Sequence, residues 1–288
     1  MVSSVKSSQV RTAAAQQKTP SKPAKDTAAS SQTAAAGWGA GAKAASLKIT
    51  SAQIGDGPAV TEKLQLPKGY AAEVKELKEK LTDKVNGKAC AIEQTDVRVT
   101  LTGPGGKKLT LSDGAESIKQ TASDWKSEIE AQKKEPSEWA QLDWDASHTM
   151  SGVGTAGKLF SVSDAYSSYT GGAHPNHGTA LSTWDASTGK QVKLDQLLTQ
   201  QQMTNLVKDI SARLPKLNNG DGIDGSSFGM GDLRDTINSN FALTSDKNGK
   251  VQIQIAWESG IHALGGQMAH FTVDAPTDAT FRKAIGLE

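Results

Sequence analysis

A chain of 288 residues has room for one or two domains. Its hydrophobic share of 36% and mean hydropathy of −0.46 imply that part of it lies outside any packed core. Thirty-two basic residues against 31 acidic ones leave a net charge of +1, without the basic excess or stripe of a nucleic-acid binder.

Residues 1–45 are rich in Ala, Ser, Thr, Gln and Lys and read as a disordered, mildly basic leader. The start, M-V-S-S-V-K-S-S-Q-V-R, lacks the apolar stretch of a secretory signal. No window of the chain holds the roughly 18 apolar residues of a membrane span. Residues 46–136 are expected to form an N-terminal α/β subdomain. Leu47 to Ile54 reads as a first strand. Tyr70, Val74, Leu77, Leu81 and Val85 recur at three- and four-residue steps and predict a helix over 70–85, with a Glu/Lys-interleaved wet face and a stop at Asn86-Gly87. The single Cys90 forms no internal disulfide and reads as a small packing residue near that helix's end. Val97, Val99 and Leu101 alternate as a strand, and Ser117 to Lys134 is a second amphipathic helix carrying Ile118, Trp125 and Ile129.

Residues 137–288 form the expected C-terminal α+β subdomain. Lys158 to Ser163 and Thr179 to Trp184 read as strands, and Asp185-Ala-Ser-Thr-Gly189-Lys190 as a hairpin turn. Asp195 is expected to open a helix. Met203, Leu206, Val207, Ile210 and Leu214 have helical spacing up to Pro215, and a glycine-rich loop runs from Asn218 to Gly231. Phe241 to Thr244, Val251 to Ile255 and Phe271 to Val273 supply the last strands. The fold class expected is α+β, a mostly antiparallel sheet with two or three helices packed on one side.

The stretch from Tyr169 to Leu198 is the most informative. It holds Tyr-Thr-Gly-Gly-Ala-His (169–174), then Asp-x-x-Thr-Gly-Lys (185–190), then Leu-Asp-x-Leu (194–197). The run resembles the signature of a bacterial family of unknown function. That family is typified by the lysozyme-sensing extracytoplasmic domain of an anti-sigma factor, and it is also found attached to peptidoglycan deacetylases. A looser match follows in Val251 to Ile255, Trp257-Glu258, Ala263 to Gly266, His270 to Val273 and Pro276, so that the resemblance covers about Leu142 to Pro276. It implies a non-catalytic envelope module that binds a protein or a peptidoglycan-related ligand, in the periplasm or outside the cell. It also implies Tyr169, Thr170, Gly171, Gly172, His174, His177 and Glu258 as candidate ligand contacts.

Read by themselves, Gly171 and Gly172 suit torsions that other residues avoid. Tyrosine on a loop supplies contact area at the cost of few torsions, which makes Tyr169 the first candidate anchor. His174 and His177 lie three apart, but no sequence motif brings further metal ligands to them, and His148, His262 or His270 could approach only through the fold. Gly225-Ser-Ser-Phe-Gly229 misses the nucleophile-elbow spacing, and Asn219 to Asp224 misses that of a calcium loop. Asp143, Asp145, Asp164, Asp185 and Glu258 offer carboxylates without a readable pair separation. No catalytic residue, metal or cofactor is assigned, and a monomer without nucleic-acid partners is expected. An effector delivered without a cleavable signal, and an envelope hydrolase using His174 with a nearby acid, are the alternatives.

Overall fold

The computed structural model describes residues 47–55, 57–137, 140–171, 175–217, 230–246, 248–258 and 268–287. The leader at 1–45, most of the glycine-rich loop, Gly172, His174, His262 and the side chain of Glu258 lie outside this set.

Two sheets organise the described residues. The larger contains β2 (Ala71–Val85), β3 (Lys88–Thr102), β4 (Lys108–Asp113), β5 (Trp144–Ala156), β6 (Leu159–Tyr169), β7 (Asn176–Asp185) and β8 (Lys190–Val192). Its strand order is β2-β3-β5-β6-β7-β8, with β4 also paired to β3. The smaller has β1 (Ile49–Ile54), β11 (Met268–Asp274), β10 (Val251–Glu258) and β9 (Phe241–Ser245) side by side in that order, all antiparallel. Helix α1 (Ala115–Lys134) lies against β2 and β3, while α2 (Gln200–Leu217), α3 (Met230–Ser239) and α4 (Ala279–Ile285) share the core of the smaller sheet. This is an α+β fold, mostly antiparallel.

The segment 70–85 is a strand, not a helix. From Leu77 onward every second residue is half-buried (Leu77, Glu79, Leu81, Asp83) or buried (Val85) and those between are exposed, which is the period of a pleated strand. Leu81 and Val85 satisfy this period as well as the helical one, and the full-length pairing with β3 decides between them. Asn86 and Gly87 close that hairpin with φ of 52° and 80°, the positive torsions of a two-residue primed turn. Cys90 accordingly sits near the start of a strand, buried beside Ile92, Trp125 and Ile129. Burial pushes its thiol pKa up.

β3 buries Cys90, Ile92, Gln94 and Asp96 on one face, then Val97, Val99 and Leu101 on the other. The first set lies towards α1, whose Trp125 is 1% exposed and donates its indole N–H to the Leu142 carbonyl at 2.8 Å. The second set packs with Met150, Phe160 and Val162 of β5 and β6. A side chain such as Trp125 or Phe160, fully removed from water, contributes about 1.5–3 kcal/mol. β3 meets β5 in parallel over Ile92–Thr95 and Trp144–Ser147. Asp143 reinforces this short seam by accepting the Ala91 N–H at 3.0 Å.

The expected helix at Asp195 is a single 3₁₀ turn, Leu194–Gln196. Asp195 and Asn238 exchange two hydrogen bonds there, at 2.8 and 3.0 Å. The α-helix begins later, where Thr199 and Gln202 form a reciprocal cap: the Gln202 N–H donates to Thr199 Oγ1 at 3.2 Å and the Thr199 N–H to Gln202 Oε1 at 2.8 Å.

Candidate functional site

The Tyr169–Gly178 stretch joins β6 to β7 at one end of the larger sheet. The strands stay paired up to Ser168 opposite Asn176, with His177 opposite Ser167 and Gly178 opposite Tyr166. Tyr169 is also held on its other side, opposite Asp145 of β5. Residues opposite one another share a face, so this register puts Tyr169, Ser167, Asp145 and His177 on the same face. His177 is exposed, whereas Tyr169, Thr170 and Gly171 are half-buried. Gly171 has φ of 88°, and a Cβ there would lie 3.1 Å from the Gln141 carbonyl, so both torsion and space call for glycine. On the opposite face the Tyr166 ring lies across Gly178, where a Cβ would overlap it.

Four of the seven candidate contacts, Tyr169, Thr170, Gly171 and His177, are thus gathered at this end by β6 and β7. Gly172 and His174 belong to the same connection but lie outside the described residues. Glu258 ends β10 in the smaller sheet, opposite Met268.

The other parts of the signature stretch have structural work. Asp185 accepts the Ser187 N–H at 2.8 Å and the Thr188 N–H at 3.3 Å, and it pairs with Lys158 at 3.1 Å. Burial raises its carboxyl pKa, but the Ser187 and Lys158 bonds outweigh that and leave it lowered. Gly189, with φ of 67°, completes the turn. Leu194, Leu197 and Leu198 are core residues.

A second polar constellation, not legible in the sequence, runs across four strands. His148 Nδ1 of β5 lies 2.7 Å from Asp96 Oδ1 of β3, and its Nε2 lies 3.4 Å from Asp164 Oδ1 of β6. Asp164 Oδ2 accepts the Ser182 hydroxyl at 3.2 Å, and Ser182 Oγ accepts the Trp184 indole N–H at 2.9 Å, both on β7. Hydrogen bonds to Asp164 and to Asp96 raise the His148 pKa to about 9, against the opposing cost of burial. For Asp96, burial acts upward, but bonds from His148, the Val97 N–H and Ser117 leave the pKa lowered.

His148 is therefore an imidazolium at neutral pH, with both ring N–H groups directed at carboxylates. It has no lone pair to offer as a base or to a metal. The Ser182 hydroxyl points to Asp164, not to the imidazole, so these residues do not form a serine–histidine relay. The two carboxylates lie off opposite ring nitrogens and do not converge on one point. Among the described residues, no group of three or more His, Cys, Asp or Glu side chains is disposed to hold a metal ion. No described helix is long and apolar enough to cross a membrane.

No family model and no curated protein matches the chain. Solved structures do. A DUF3298 family member from Bacteroides fragilis aligns with a TM-score of 0.50 and 16% identity, over 72% of this chain and 91% of that one. The chain shares the fold of that DUF3298 family member. A DUF3298 family protein from Pseudomonas aeruginosa PAO1 aligns with a TM-score of 0.35 and 12% identity, over 71% and 90% of the two chains. Resemblance to a bacterial family of unknown function is supported at the level of fold.

Proposed function

We propose that this chain is a non-catalytic, envelope-associated module, periplasmic or secreted, that binds a lysozyme-like protein or a peptidoglycan-related ligand at the β6–β7 end of the larger sheet. One observation carries the reading. Within the signature stretch, the β6–β7 register sets Tyr169 and His177 on one face at the end of the larger sheet, with His177 exposed. Tyr169 and His177 sit on paired strands, so these two side chains lose little backbone entropy on binding.

The test is calorimetric titration of the full chain with a lysozyme and, separately, with soluble peptidoglycan fragments. Wild type is expected to bind one of the two, and Tyr169→Ala or His177→Ala to weaken binding at least about tenfold, the loss expected for a contact residue of an interface. Failure of wild type to bind either ligand would reject the proposal. Unchanged affinity in both folded variants would place the contacts elsewhere.

A further inference from the structure

We propose that β2 is a homodimerisation edge, pairing antiparallel with β2 of a second copy about a two-fold axis at Leu77. β2 is a 15-residue strand at the end of the strand order, and among the described residues no strand covers its outer side. The two-residue turn at Asn86-Gly87 makes Val85 and Lys88 the closing hydrogen-bonded pair. Odd-numbered residues of β2 therefore bond to β3, and the backbone N–H and C=O groups of even-numbered residues from Ala72 to Lys84 point outward. So long an open edge is a template for another strand, and proteins commonly blunt such edges with lysine.

The charges on β2 do not simply blunt it. Its central segment reads Lys75-Glu76-Leu77-Lys78-Glu79 and complements itself when reversed. A two-fold axis normal to the sheet must keep each side chain on its own face, so opposed residues have the same parity. With Leu77 opposite Leu77, Lys75 of one copy faces Glu79 of the other, and Glu76 faces Lys78. The symmetry repeats both pairs, giving four opposite-charge contacts and no directly opposed like charges. A shift to Lys78 at the axis sets lysine against lysine and Glu73 against Asp83. A shift to Lys80 at the axis opposes two lysines and keeps only two opposite-charge contacts, both of Glu76 with Lys84. A shift to Glu76 opposes Glu73 and Glu79. The Leu77 register thus has more opposite-charge contacts than its neighbours and is free of directly opposed like charges, a preference of the kind that e and g positions give coiled coils.

Glu76 and Lys78 are available for this exchange. Among the described residues they pair with each other along their own strand, at 2.9 Å, with side chains 55% and 69% exposed. The occupant is therefore a second copy of this chain, which departs from the monomer expected from the sequence.

The experiment is sedimentation velocity of the full chain across a range of concentrations at low and high salt. Wild type is expected to shift from one-chain to two-chain mass as concentration rises, and to dissociate more readily in high salt. Lys75→Glu with Lys78→Glu turns all four contacts repulsive and should weaken dimerisation on the order of tenfold or more. Adding Glu76→Lys and Glu79→Lys reverses every charge, restores complementarity and should recover the dimer. This recovery separates a lost interface from a lost fold. Oxidation of Leu77→Cys should link two copies, while wild type, whose Cys90 is buried, should not link. A wild type that stays monomeric throughout, or a dimer indifferent to the double reversal, overturns the proposal.

Discussion

Ser161 of β6 accepts the backbone N–H of Leu243 in β9 at 2.7 Å, although the two residues belong to different sheets. β9 lies at one end of the smaller sheet, and this bond satisfies one of its outward-facing groups. The Ser161 hydroxyl lies 2.9 Å from Thr183 Oγ1, which donates to the Phe241 carbonyl at 3.1 Å. Thr183 has one proton and gives it to Phe241, so the Ser161 proton goes to Thr183. Both side chains are fully buried. Two hydroxyls thus close a relay from the N–H of Leu243 to the C=O of Phe241, where a bare strand edge would otherwise lie in the core.

Ser161→Ala should therefore cost about 1–3 kcal/mol, because it strands a buried N–H and also removes Thr183's donor. Thr183→Val should cost a comparable amount. The double variant should lose less than the sum of the two, since the relay is already broken by either change. Urea unfolding of the four proteins measures this. Strict additivity would mean that the two hydroxyls act independently.

The His148 cluster predicts a pH dependence. Its pKa is raised from 6.5 to about 9, so its stabilising contribution is fully present below about pH 6.5 and is lost as pH rises through 9. Asp96 has a lowered pKa, so its contribution is present above its ordinary value of 3.8 and is lost as pH falls further. Wild type should lose up to about 2 kcal/mol between pH 6 and 10, a figure discounted for solvent screening, relative to His148→Gln over the same interval. Parallel pH profiles for the two proteins would show that the imidazolium adds nothing to stability.

The sequence makes the tight turns and the apolar strands plain, because their signals are local. The Asp185 to Lys190 turn, the start of the Gln200 helix and the strands at Val251 and Phe271 sit where pattern places them, while that helix runs past its expected stop at Pro215 to Leu217. β2 is the instructive exception. As an edge strand it is open to water on one side and alternates half-buried with exposed residues, so charged side chains fill most of its positions. Apart from two alanines, what remains apolar, Val74, Leu77, Leu81 and Val85, fits a helical stripe as well, with Tyr70 just before the strand. Asn86-Gly87 carried the deciding signal, since that dipeptide favours a primed hairpin turn at least as strongly as a helix stop. The switch of buried face at Asp96–Val97 blurred the alternation of the partner strand too. His148, Asp96 and Asp164 left no motif because β3, which carries Asp96, lies far in sequence from the β5–β6 hairpin that carries the other two. An inward-facing charge in each strand was the only trace. The turn after Tyr169 was readable from its glycines, and Gly171 does adopt a positive φ.

Two turn glycines, Gly87 and Gly157, should respond very differently to alanine. Both have positive φ, 80° at Gly87 and 60° at Gly157, so either substitution strains the backbone by about 1–2 kcal/mol. At Gly87 nothing lies within 4 Å of the added methyl, and that strain is the whole effect. At Gly157 the methyl would fall 2.0 Å from the Ile285 carbonyl, at the end of α4. That same carbonyl accepts the Lys158 N–H at 2.8 Å, so α4 cannot retreat without breaking the bond that seats it on the β5–β6 turn. Ile285 and Phe281 would be drawn out of the core with it. Gly157→Ala should therefore destabilise by at least about 2 kcal/mol more than Gly87→Ala, since it adds core and hydrogen-bond losses to the same torsional strain. Chemical unfolding of the two variants side by side gives the comparison. Equal losses would mean that α4 is not fixed against this turn.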